Sequence, residues 1–136
     1  MKRIIGAIVV VISMIFLLNG CAMEESSNQK LRDLEFTIVS ENDIPEELLK
    51  IIEEKKVGEF KITYTDNESL YICVGYGEQK TGGYSIAVSD LYLTSNAIFI
   101  KTNLIGPSKD EKISEGLSYP YIIVKTEYID KSVVFE

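Results

Sequence analysis

Histidine is missing from this 136-residue chain, and cysteine, proline and positive charge are scarce: two Cys, three Pro, and 14 Lys+Arg against 21 Asp+Glu, for a net charge of −7. The missing histidine removes the usual general base and the commonest metal ligand, which excludes much enzymology. No cofactor or catalytic group is expected. The acid excess argues against nucleic acid as a partner. Long apolar runs are also few. One stands out, Ile4 to Leu18, 15 residues after the basic Lys2 and Arg3, and it is shorter than the roughly 20 residues a membrane-spanning helix needs. It reads as the apolar region of a secretory signal peptide over residues 1–20.

That run ends in Leu18-Asn19-Gly20-Cys21, which resembles the lipobox of bacterial lipoproteins. The resemblance implies cleavage before Cys21, a lipidated Cys21 thiol, and a protein held on the extracytoplasmic side of the cell membrane by acyl chains. Each buried methylene contributes about 0.8 kcal/mol, and stable anchoring takes more than one chain, a condition that a diacyl or triacyl cysteine meets. Cleavage would take Lys2 and Arg3 with it, leaving 12 Lys+Arg against 21 Asp+Glu, or −9. An exterior so acidic would not add adhesion to anionic headgroups. With Cys21 acylated, Cys73 has no intramolecular partner, so the exported domain must be stable without a disulfide. Its setting in "LYICVG" reads first as a buried strand thiol, and second as a reactive one.

After Cys21 the chain to residue 33 is polar and aperiodic, which predicts a spacer over 21–33 and a β-rich domain over 34–136. "LEFTIVS" is expected to be a first strand, with Leu34, Phe36 and Ile38 on one face. "ENDIPEELLKIIEEKKVG" is the one clear helix. Asp43 is its expected cap, Ile44, Leu48, Ile51 and Ile52 form its apolar stripe, and Gly58 stops it. From there the period is two: "EFKITYT", "SLYICVGYG", "GYSIAVSDLYL", "AIFIKTNL", "YPYIIVKTEY" and "SVVF" read as strands. "TDNES" and "TSNA" supply turns. Two longer connections remain, 77–83 and 105–118, the second with almost no apolar anchor. The fold expected is mainly β (α+β), an antiparallel sandwich or partly open barrel with one N-terminal helix.

Catalytic look-alikes do not survive inspection. Gly83-Tyr84-Ser85-Ile86-Ala87 imitates a nucleophile elbow, but Ser85 enters a strand and has no histidine. Ser27 and Lys30 have dyad spacing in the expected spacer, where nothing would hold them. Asn67-Glu68-Ser69 is a formal glycosylation sequon that reads more simply as a turn, and the carboxylates around Asp66 do not follow the EF-hand pattern. The tyrosines at strand mouths are more telling. Tyr84 follows a glycine pair and Tyr119-Pro120-Tyr121 follows the long connection. Such rings either seal a sheet or serve a binding surface, where they cover much area at little entropic cost.

"YICVGYGEQKTGGYSIAV" and the later "LSYPYIIVK" resemble the C-terminal domain of the PrcB family, named for a lipoprotein subunit of a surface protease complex. The resemblance covers about residues 36–136 and is strongest at 70–88 and 117–125. Gly77, Thr81, Gly82, Gly83, Tyr84 and Ser85 match its G-E-x-x-T-G-G-Y-S segment, and Tyr119, Pro120 and Tyr121 its Y-P-Y. Lys80 stands where the family often has proline, and "SKDEKISEG" replaces a proline-bearing stretch. Both departures fall in the connections that would make contacts.

The resemblance implies an accessory protein that binds an exported protease or its precursor and supports its stability or maturation. Thr81, Gly82, Gly83, Tyr84, Tyr119, Pro120 and Tyr121 are the expected protein-binding residues. Two other readings stay open. One is a loop-based inhibitor, since T-G-Y loops also occur in chagasin-like cysteine protease inhibitors; the other is a tethered small-ligand binder.

Overall fold

In the computed structural model the described residues are 29–110 and 112–136. The signal peptide, Cys21 and Ser27 lie outside them. Among the described residues ten strands follow in chain order: β1 Lys30–Asp33, β2 Phe36–Ile38, β3 Glu59–Thr65, β4 Ser69–Tyr76, β5 Gln79–Thr81, β6 Ser85–Thr94, β7 Ala97–Ile105, β8 Glu115–Ser118, β9 Tyr121–Glu127 and β10 Ser132–Phe135. One α-helix, α1, spans Glu46–Lys55 after a 3-10 turn at Glu41–Asp43. The strands make a four-stranded sheet A (β1-β6-β7-β10), a four-stranded sheet B (β2-β9-β4-β3) and a two-stranded ribbon (β5-β8). None closes into a barrel, so the expected mainly-β sandwich with one helix is borne out.

Two apolar clusters hold three layers together. Leu70, Ile72 and Val74 of β4 with Ile122 and Val124 of β9 meet Leu91, Ile98 and Ile100 of sheet A. On the other face of sheet B, Tyr71, Cys73, Ile123 and Phe60 receive Leu48 and Ile52 of α1. Sheet B is therefore covered on both sides. β4 and β9, expected as period-two strands, are instead buried on both faces from Leu70 to Val74 and from Ile122 to Val124, where consecutive apolar residues permit it. Cys73 is fully buried, and burial pushes its thiol up to about 12. A protonated thiol away from solvent is a packing group rather than a nucleophile.

Sheet A solves a different problem. The register of β6 against β7 shifts between Val88 and Asp90. One inserted residue flips the inward face, so Ile86 and Val88 before the shift and Leu91 and Leu93 after it all pack on the same cluster. Ser89 sits at the irregularity, where its hydroxyl donates to the Lys101 carbonyl at 3.2 Å.

The turns follow the expected chemistry. Asp66 Oδ1 accepts the backbone N–H groups of Glu68 and Ser69 at 3.0 and 2.8 Å, closing the β3–β4 hairpin. Thr94 Oγ1 does the same for Asn96 and Ala97 at 3.2 and 3.1 Å.

Four expectations need correcting. Strand pairing is not wholly antiparallel, because β10 runs parallel to β7, placing Val133 and Phe135 against the inter-sheet cluster. The folded region starts before residue 34. Lys30–Asp33, expected as spacer, pairs with β6, and Arg32 meets Glu127 of sheet B at 2.6 Å.

Leu34, Phe36 and Ile38 do not share a buried face: Leu34 is 4% exposed, Phe36 39% and Ile38 55%. The chain crosses between sheets there, with the Leu34 N–H donating to Leu91 while β2 becomes the outer strand of sheet B. Asp43 is not the helix cap either. It lies in the 3-10 turn, where its carboxylate accepts the Ser40 hydroxyl at 2.9 Å, and Pro45 occupies the cap position without a side-chain bond.

Candidate protein-binding site

The two connections expected as loops find each other. β5 and β8 pair antiparallel, Gln79 opposite Ser118 and Thr81 opposite Glu115, so segment 105–118 is not wholly loop as expected. At the end of β4, Gly77 takes φ +77, a left-handed conformation that turns the chain out of sheet B. Beyond β5, Gly82 passes against Ser114: its N–H donates to the Ser114 carbonyl at 3.0 Å, and a Cβ at this position would run into the Ser114 hydroxyl. Gly83 then adopts φ +85 and delivers the chain to β6. The glycine pair thus serves one close approach and one left-handed turn. Thr81 Oγ1 donates to the Gly82 carbonyl at 3.1 Å, and the Ser118 hydroxyl donates to the Thr81 carbonyl at 2.6 Å.

Of the expected binding residues, Thr81 and Gly82 are backbone partners of the β8 segment, and Tyr119, Pro120 and Tyr121 follow directly from β8 into β9. A side-chain link also crosses between the segments, since Tyr119 OH donates to Glu78 Oε1 at 3.2 Å. The rings have separate surroundings. Tyr84 lies beside Gly106. Tyr119 instead faces the end of α1, with Lys56 Nζ 5.7 Å from its ring centroid and that ammonium held by Glu53 at 2.7 Å. Pro120 contributes its carbonyl, which accepts the Tyr76 N–H at 3.1 Å. Tyr121 is half-buried against the cluster under α1.

Electrostatics follow from these neighbours. Desolvation, then the bond to Glu78, holds the Tyr119 phenol above its ordinary value. The Tyr121 phenol is raised by desolvation first and by the Glu41 and Glu53 carboxylates next. Both rings stay neutral near pH 7, as hydrogen-bonding, area-covering groups.

Sequence reasoning missed Ser114, which the close approach of Gly82 requires, and the exposed apolar side chains Ile105, Ile113 and Leu117, which are 49%, 44% and 58% exposed. Their signal was weak because three apolar residues dispersed in a charged segment show no period. Among the described residues, no group of three His, Cys, Asp or Glu is placed to hold a metal ion.

Residues 70–127 match the PrcB C-terminal family. The match is to the family the sequence resembles. It opens at the second residue of β4 and closes at the last of β9, so it takes in β4 from Leu70 and all of the ribbon, β6, β7 and β9. No curated protein and no solved structure matches the chain.

Proposed function

We propose that this chain is a membrane-tethered lipoprotein whose β5-β8 ribbon binds an exported protease or its precursor and supports its stability or maturation, without itself being catalytic. One observation carries the reading. The ribbon lies within the PrcB C-terminal match yet gives no residue to either apolar cluster, and it displays Leu117 to solvent. Exposed apolar side chains on a hydrogen-bonded backbone suit a contact surface. Acyl chains on Cys21 would hold that surface at the membrane.

The test is capture of the tagged full-length chain from membranes of its own host, wild type beside Leu117→Asp and Cys21→Ala, followed by mass spectrometry and protease assay. A protease that co-purifies with wild type, is depleted with Leu117→Asp and loses activity faster in its absence is the expected result. A protease inhibited in proportion to the amount bound would instead establish the inhibitor reading. Failure to enrich any protease over the tag alone would sink both. For the anchor, wild type should incorporate a palmitate analogue and Cys21→Ala should leave the membrane fraction unlabelled; absence of label on wild type would refute lipidation.

A further inference from the structure

A concavity adjoins Tyr119, Pro120 and Tyr121. It is a cleft of about 280 Å³ with Ile38, Val39 and Glu41 on one wall and those three residues on the other. It exists because β2 leaves β9 early: the ladder runs to Ile38 opposite Val124, the Val39 N–H donates to Ile123 at 2.9 Å, and the chain then swings into the 3-10 turn.

Backbone alternation decides what the cleft presents. The Pro120 carbonyl points to β4, where it accepts Tyr76, and the Ile123 carbonyl points to β2. Tyr121 shares the parity of Ile123. Its N–H and C=O therefore face the cleft, beyond the last bond that β2 supplies. A donor and an acceptor side by side at a strand edge accept one more extended residue.

The walls and rim define that residue's chemistry. Ile38, more than half exposed, and the Tyr and Pro side chains offer apolar contact. The carboxylate that lines the cleft is Glu41. Glu41 and Glu53 both act on Tyr121, and the Lys56 ammonium beside them is held by Glu53.

From this geometry we infer that the cleft receives an extended protein segment carrying one bulky apolar side chain beside lysine or arginine, its backbone pairing with Tyr121. The inference rests on the partner-binding reading above and names the chemistry of the partner's contact. The same apolar residue flanked by acids is rejected, because the Glu41 carboxylate repels it.

Two short peptides test it by amide NMR on the full chain in detergent micelles: one isoleucine flanked by lysines, and the same peptide with glutamates in place of the lysines. The lysine peptide is expected to shift the Tyr121 and Val39 amides, and the glutamate peptide to leave them unmoved. Glu41→Lys is expected to weaken the lysine peptide about threefold or more. Glu41 is exposed, so an unchanged denaturation midpoint shows that the fold is intact. Ile38→Ser gives an independent check of the apolar wall, with weaker binding expected. Equal binding of both peptides, shifts confined to other residues, or indifference to both substitutions would overturn the assignment. The membrane capture separates this result from the broader reading. A protease retained in full by Glu41→Lys and Ile38→Ser but lost with Leu117→Asp defeats the cleft and leaves the ribbon standing, whereas peptide binding without any captured protease does the reverse.

Discussion

β4 with β9, and β5 with β8, are neighbouring stretches of the same chain paired in the same antiparallel sense, yet they live in opposite environments. β4 opposes β9 from Ser69–Glu127 to Gly75–Tyr121, and the side chains from Leu70 to Val74 are buried. One turn further on, β5 opposes β8 with most side chains exposed or half-exposed. Backbone pairing therefore does not distinguish core from surface. Side-chain burial does, and it is burial that supplies most of the stabilisation, at about 25 cal/mol per Å² of apolar surface. The ribbon keeps its shape through hydrogen bonds and glycines while its side chains remain available for another molecule.

The largest contrast should come from deletion in the core. Ile72 is fully buried between the sheets, so Ile72→Ala is expected to cost about 2–5 kcal/mol, seen as a lower urea midpoint with an unchanged slope. A loss under 1 kcal/mol would mean that the two-sided burial of β4 has been misjudged.

Glycines sharpen the comparison. A Cβ on Gly75 would enter the ring of Phe60, which is itself packed under α1, so Gly75→Ala should cost about 1–3 kcal/mol through overpacking. Gly82→Ala meets the exposed Ser114 hydroxyl, which can rotate away, and is expected to stay within about 0.5 kcal/mol. Equal costs at the two positions would put the ribbon on the same footing as the core.

Acid should act between these extremes and the surface. The backbone N–H groups of Glu68 and Ser69 hold the Asp66 carboxyl below the ordinary carboxylate value. A depressed folded-state value gives stabilisation that is present above the unfolded value, near 4, and is lost as pH falls through the folded one. Asp66→Ala should therefore lower the midpoint slightly at pH 7 and flatten its fall in that acid window. An identical acid profile in the variant would show that the turn does not depend on the carboxylate.

Leu117→Asp marks the small end. With 58% of its surface already in solvent, its substitution should move stability within about 0.5 kcal/mol while removing the partner. A drop comparable to Ile72→Ala would make the ribbon a structural element instead of a binding one.

Most of the scaffold was readable from local pattern. β3 and β10 fall on the stretches read as strands, and the Asp66 and Thr94 turns form where Asp, Asn and Ser predicted them. Period-two alternation and turn residues depend only on near neighbours in the chain. The same locality explains what was unreadable. Phe36 and Ile38 look like core residues by spacing and stand at an edge, because exposure depends on which strand lies overhead. Asp43 has the right type for a cap but is used one turn earlier, where Ser40 reaches it. The shift at Val88–Asp90, which reverses the apolar face of β6, leaves no mark in composition.

The candidate site divides along the same line. By itself, the sequence determined which residues carry the family likeness, that Cys73 would be a strand thiol, and that these 136 residues offer no histidine as base or ligand. Only the tertiary structure decided that 79–81 and 115–118 pair across an interval of more than thirty residues, that Tyr119 reaches Glu78, and that Tyr84 turns instead toward Gly106. The physical reason is that hydrogen-bonding capacity belongs to every residue alike, so the choice of a distant partner is made by the packing of β4, β9 and α1, which brings the two segments to one end of the molecule.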